Sequence, residues 1–181
     1  MAWNAEHKIN TRQRILHSAA RLFTQHGFDK ISIDNVMTEA GLTRGAFYAH
    51  FKTKSELYAE AIIAGAKQKA AQYQHNADDI EQMSREYLSS EHLQGEQLRC
   101  PLAFLTTDIG QRDKQVRDAY TAVFKGLIRF LESAGMTRVD AMQRAVLMIG
   151  GVAIAKALNQ PELVNELLDA CQMDCSAAIP E

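Results

Sequence analysis

The chain has 181 residues, 46% of them apolar and 23% charged, with 3 prolines and 3 cysteines. That length supports one sizeable core or a small module on a larger helical body, and so few, unevenly numbered cysteines argue against a disulfide framework. The formal net charge of −2 hides an asymmetry: residues 1–58 hold 8 Lys/Arg against 5 Asp/Glu, and residues 59–181 hold 12 against 17, so a basic head that suits a polyanion precedes an acidic body.

In chain order the apolar pattern is helical almost throughout. Ile15, Leu16, Ala19, Ala20, Leu22 and Phe23 form a stripe entered at Asn10 and closed by Gly27. Ser32 caps a short second helix, Gly41-Leu42 turns the chain, and Thr43 caps a third helix through Phe51. Thr53-Lys54-Ser55-Glu56 has capping-box spacing and opens a long fourth helix to about Tyr73. After a polar break at 75–79, a fifth helix carries Ile80, Met83, Tyr87 and Leu88. Cys100-Pro101 opens a short apolar segment, Leu102 to Ile109. Asp113 caps the clearest amphipathic helix, and Thr137 starts another that runs into the apolar stretch 145–155. Pro161 stands in the first turn of the last helix, where its missing N–H costs nothing. About nine helices and no strand make the fold all-α.

A helix, a glycine turn and a second short helix over 32–51 have the layout of a helix-turn-helix. Phe47 and Phe51 point towards the first two helices, leaving Gly45, Ala46, Tyr48 and Ala49 on the opposite face. So little bulk allows close backbone approach to a groove, with methyl contacts to thymine available. Arg44 and Lys54 sit in the first turns of their helices, where a cation is disfavoured by roughly 0.3–1 kcal/mol. A phosphate between them reverses that sign; the alternative is that both side chains swing into solvent.

The run Arg14-Ile15-Leu16, Ala20, Leu22-Phe23, Gly27-Phe28, Ser32-Ile33, Ala40-Gly41-Leu42, Gly45, Phe47-Tyr48, His50-Phe51, Lys54 and Leu57 closely resembles the TetR family of repressors. The resemblance covers about the first 60 residues. It implies a three-helix DNA-binding domain, residues 1–56, joined through the fourth helix to an effector-binding and dimerising body, residues 57–181. Matched positions imply that Thr43, Arg44, Gly45 and Tyr48 contact DNA, and that Ser32 bonds a phosphate. His50 and Lys54 would clamp the backbone, with Thr11 and Arg12 touching phosphate just before the first helix. Arg44 could read guanine or bind phosphate, and His50 could contact DNA or pack beside Phe51.

In the body, an effector cavity is expected to be lined by Tyr87, Leu88, Cys100, Phe104, Phe124, Leu127 and Met148, and to favour an apolar or aromatic molecule. Gly150 and Gly151 lie within a helix, with Ala153, Ile154 and Ala155 beside them. Close approach of another helix explains them, a kinked monomeric helix being the alternative. With Leu163, Leu167 and Leu168 of the last helix they are the expected dimer seam, as the resemblance also implies. Cys100, next to Arg99 at a helix start, is expected to have a lowered pKa, which opens a redox- or electrophile-sensing alternative to a packing role. Cys171 and Cys175, one turn apart, have no completing ligand set, so no metal and no cofactor is expected. No Walker loop, G-x-S-x-G elbow, H-E-x-x-H or Glu-x-x-His pair is present, so an enzyme is not expected. No secretory signal opens the chain, and the longest apolar run falls short of the roughly 20 residues that span a bilayer. The expectation is a cytoplasmic homodimer binding a palindromic operator in double-stranded DNA, with a sensor-free constitutive DNA-binding factor as rival.

Overall fold

In the computed structural model the described residues are 2–71, 77–94 and 99–176. The head consists of α1 (Ala2–His26), α2 (Ile33–Glu39) and α3 (Arg44–Tyr48), followed by the connecting α4 (Lys54–Ala70). The body adds α5 (Ala77–Tyr87), α6 (Ser90–Gln94), α7 (Pro101–Phe104), α8 (Thr106–Ile109), α9 (Lys114–Ser133), α10 (Arg138–Ala155) and α11 (Pro161–Ser176). Among the described residues there are eleven helices and no strand, so the all-α class is observed and the count of about nine is corrected. The polar break at 75–79 and the Cys175 side chain fall wholly or partly outside the described residues.

Local chemistry accounts for most boundaries. Ser32 accepts a hydrogen bond from the Asn35 amide at 3.1 Å while Asn35 Oδ1 accepts from the Ser32 amide at 2.8 Å, a complete reciprocal box. Asp113 and Thr137 accept from the Val116 and Asp140 amides and start α9 and α10 as expected. Only half of the box expected at α4 forms. Thr53 accepts from the Glu56 amide, but Glu56 reaches past Thr53 to the Lys52 amide at 2.6 Å. Thr43 stands at the N-cap of α3 without a side-chain cap bond.

Several boundaries differ from the sequence reading, and α3 ends at Tyr48, short of the expected Phe51. Helix α1 begins eight residues before Asn10, at Ala2. Asparagine costs only a few tenths of a kcal/mol inside a helix, so a capping residue type does not oblige the helix to start there. The 102–109 segment is broken at Leu105, whose φ of −114° and ψ of 0° end α7 and begin α8. Helix α6 was not foreseen; the Ser89 hydroxyl accepts from the His92 amide at 3.1 Å and caps it.

The turn between α2 and α3 depends on Gly41, at φ +64°, a conformation costly for residues with a Cβ. Arg14 on α1 donates to the Ala40 carbonyl at 2.6 Å and pins that turn. The buried side chains form two clusters. In the first, Ile15, Phe23, Val36, Phe47 and Phe51 of the head pack with Leu57, Tyr58 and Ile62 of α4, and also with Leu105, Ile109, Val116 and Ala119 of the body. The second fills the body between α5, α7, α9, α10 and α11, around Ile80, Leu88, Leu102, Ile128, Met148 and Leu168. Helix α4 therefore serves both head and body. No helix is long and apolar enough to cross a membrane among the described residues.

Candidate nucleic-acid interface and ligand cavity

Helix α3 buries one face and bares the other. Phe47 and Phe51 are 0% and 2% exposed, their rings tilted against each other with centroids 5.8 Å apart. Thr43, Arg44, Gly45, Tyr48 and Ala49 are exposed. A Cβ on Gly45 would meet only Thr43 Oγ1, at 3.9 Å. Nothing inside the chain therefore requires a glycine there, and the space it leaves faces outward. Arg44 forms an ion pair with Asp34 of α2 at 2.7 Å, and the Tyr48 hydroxyl and then Asp34 raise its pKa further.

The flanking cations are less free than expected. Lys54 turns inward: it donates to the Phe28 carbonyl and lies 4.0 Å from the centre of the Phe28 ring. It therefore does not share an anion with Arg44 in this arrangement, and burial lowers its pKa. Thr11 and Arg12 lie inside α1, not ahead of it. Thr11 is buried, and Arg12 pairs with Glu60 of α4 and sits 4.8 Å from the Phe51 ring centre. The Ser32 hydroxyl is exposed but engaged with Asn35. His50 is half-buried next to Phe51, with Nδ1 unpartnered. Burial, then Lys8 and Arg12, lower its pKa.

Behind Lys54 the head is fastened to the body. Arg112, just after α8, donates to both carboxylate oxygens of Asp29 at 3.1 and 2.7 Å and to Asp108 at 2.6 Å. Asp108 in turn accepts from the Tyr58 hydroxyl at 2.7 Å. The guanidinium lies over the Phe28 ring, whose centre is 5.0 Å from that of Tyr58. Hydrogen bonds from Arg112 hold the Asp29 pKa below its usual value.

In the body a cavity of about 450 Å³ opens between α4, α5, α6 and α9, within the roughly 300–1,000 Å³ usual for small-molecule sites. Of the residues expected to line it, Tyr87, Cys100, Leu127 and Met148 do, while Leu88, Phe104 and Phe124 do not. Leu88 is buried against α10 and α11 instead. Phe104 packs edge-on to His92, and Phe124 is half-buried in the second core. The sequence reading missed Met83, Val123 and Phe130, and above all His92. The Tyr87 and His92 rings stack at 4.8 Å. Burial, then the charges of Lys69 and Arg99, lower the His92 pKa to about 4. Burial also pushes the Cys100 thiol up, opposite to the lowered value expected from its helix-start position.

Gly150 and Gly151 part company. A Cβ on Gly151 would come within 3.0 Å of Cys171 Sγ and 3.1 Å of Leu88 Cδ2, whereas one on Gly150 would meet nothing within 4 Å. The close approach at Gly151 is therefore internal, to Leu88 just past α5 and to Cys171 of α11, and Ala155 is likewise buried. What α10 leaves exposed is a stripe of Val139, Val146 and Ile154 at 65%, 64% and 54%, joined on α11 by Leu163 at 42%. Leu167 is half-buried beside it.

Residues 15–61 match the family of bacterial regulatory proteins, tetR family. The chain is 52% identical over 50 residues to the HTH-type transcriptional regulator AcrR of Shigella flexneri, covering 28% of this chain and 23% of that protein. It is 38% identical over 52 residues to the probable acrEF/envCD operon repressor of Escherichia coli K12, covering 29% and 24%. The chain thus matches about a quarter of the length of these curated relatives. Over nearly its whole length it has the fold of a TetR-family transcriptional regulator from Agrobacterium tumefaciens. That likeness has a TM-score of 0.70 at 18% identity and covers 92% of this chain and 98% of that one.

Proposed function

With a TetR-family head at residues 15–61 on a body of TetR-family fold, this chain is, we propose, a cytoplasmic homodimeric repressor that leaves a palindromic operator when a small effector occupies its body. The observation that carries this reading is the asymmetry of α3: a face anchored by Phe47 and Phe51 and an outward face of Thr43, Arg44, Gly45 and Tyr48. Such a helix enters a major groove with its backbone close to the bases, Arg44 supplying the best candidate for base reading. Residues 1–56 act as the DNA head and 57–181 as the sensor and dimer body. His50, Arg12 and Ser32 border the reading helix and suit phosphate contacts, Lys54 doing so only if it leaves Phe28.

Regulation follows from the cavity's position. Helix α4 lines it through Ile63, Ala66 and Lys69 and, one turn earlier, packs against the head through Leu57 and Tyr58. A ligand that favours one placement of α4 shifts the population of head spacings, by no more than its difference in affinity between the two states. The cavity favours this reading over a sensor-free factor. The raised Cys100 pKa gives the thiol-sensing alternative no support.

Selection from a random duplex pool tests the proposal. It should enrich a two-fold symmetric motif with half-sites about 34–36 Å apart, or a larger spacing on distorted DNA. Enrichment of no symmetric motif overturns it.

A further inference from the structure

The cavity has an apolar interior with one polar corner. Leu127, Val123, Phe130 and Met148 supply the apolar walls. At the corner His92, 9% exposed, stacks on Tyr87, and both line the cavity. His92 Nε2 and the Tyr87 hydroxyl are buried, and neither has a hydrogen bond to nitrogen or oxygen among the described residues. The hydroxyl's neighbour is the Cys100 thiol, a weak acceptor. Buried polar atoms of this kind are seldom left unmet, and a ligand oxygen lying between them would satisfy both.

The charges around the corner give that oxygen its sign. Lys67, Lys69 and Arg129 line the cavity against a single acid, Glu86, and no carboxylate pairs with any of the three cations among the described residues. The charge of Lys69 is felt by both His92 and Cys100. Lys67 and Arg129 are exposed at the rim, where solvent screens them, while Lys69 is half-buried, so Lys69 carries most of a field that attracts an anion and repels a cation.

We propose that this cavity takes aromatic carboxylic acids, the rings filling the apolar interior and the carboxylate seated at Tyr87, His92 and Lys69, and that it refuses organic cations. The proposal rests on the cavity being the effector site of the regulator reading, and it names the class of effector. The Tyr87 hydroxyl donates a hydrogen bond to the carboxylate. His92, held neutral by burial and by Lys69 and Arg99, donates through Nε2 as that tautomer. Lys69 supplies the opposing charge.

Titration calorimetry on the full chain with three probes of one shape provides the test: biphenyl-4-carboxylate, its methyl ester and biphenyl-4-methylammonium. The acid should bind saturably and at least about tenfold tighter than the ester, and the ammonium should not saturate. Tyr87→Phe and His92→Phe should bring the acid down to the level of the ester and leave the ester unchanged. If either variant fails to fold, Lys69→Gln serves in its place. Equal binding of acid and ester, a preference for the ammonium, no binding of the acid, or variants that leave the acid–ester gap intact each overturn the proposal. Binding of the selected operator duplex without any probe is scored separately. A chain that holds the duplex but prefers the ammonium loses this proposal and keeps the regulator reading; a chain that prefers the acid but holds no duplex does the reverse.

Discussion

Arg44 already has a partner within its own head, and in the proposed complex that partner would compete with DNA. Asp34, 2.7 Å away, is itself exposed, and solvent screens such a pair so strongly that a base edge or phosphate would displace it in the proposed complex. Asp34→Asn should tighten binding to every sequence by up to about 1 kcal/mol, measured by fluorescence anisotropy. Arg44→Ala should lose about 1–3 kcal/mol at one base pair; an equal loss on all sequences shows that it binds phosphate instead. In the body, His92 ties stability to pH. Its folded pKa is about 4, against 6.5 as the ordinary value, so the unfolded chain takes up a proton first. This stabilisation is complete above pH ~6.5 and is lost as pH falls through ~4, by about 3 kcal/mol in all. Urea melts of the native chain and His92→Phe at pH 7 and pH 4.5 should differ in slope with pH, the variant losing less stability.

Among the helices, glycines separate packing from vacancy. Gly151→Ala forces a methyl group against Cys171 and Leu88 at 3.0 and 3.1 Å and should destabilise the chain by about 1–3 kcal/mol. Gly126, on α9, lines the cavity with nothing within 4 Å of an added Cβ. Gly126→Ala should stabilise α9 by about 0.5–1 kcal/mol, and thermal melts of the two variants should move in opposite directions. The same contrast explains what was legible in the sequence. Caps at Ser32, Asp113 and Thr137 were readable because each is settled within four residues. The stripe on α9 showed which side faces inward, but periodicity does not distinguish an inward side that meets a neighbour from one that meets a void. Phe124 and Leu127 therefore looked alike, and only Leu127 lines the cavity. His92 lies in the polar stretch Ser89-Ser90-Glu91-His92, where no apolar period marks it. Gly150 and Gly151 looked equivalent for a similar reason, since adjacent residues point about 100° apart on a helix and only the packed structure says what each one meets.

At the scale of the whole molecule, two surfaces decide behaviour. The stripe of Val139, Val146 and Ile154 with Leu163 would form the seam of the proposed homodimer in place of the buried Gly151, with Gly150 and Leu167 beside it. Ile154→Lys should shift the protein to monomer in sedimentation velocity and abolish the symmetric footprint, while helicity is retained. The second surface is the fastening of head to body at Arg112. Its guanidinium is 14% exposed and serves both Asp29 and Asp108, whereas Asp29 is 75% exposed. Arg112→Ala should therefore cost about 1–3 kcal/mol of stability and Asp29→Ala, whose charge solvent screens, distinctly less, read from chemical denaturation.

Because α4 joins head and body residues in one core, there is a consequence for anyone building chimaeric regulators. A cut after residue 56, where the recognisable motif ends, would strip the head of Leu57, Tyr58 and Ile62, all of which are fully or almost fully buried. It would also expose the ring faces of Phe23 and Phe28 that Tyr58 covers. A transplanted head would be an open half-shell, prone to aggregation. The natural joint for grafting lies beyond Ile62, with Leu105 and Ile109 of the recipient matched to the incoming surface, so that reading heads are exchanged together with their lever.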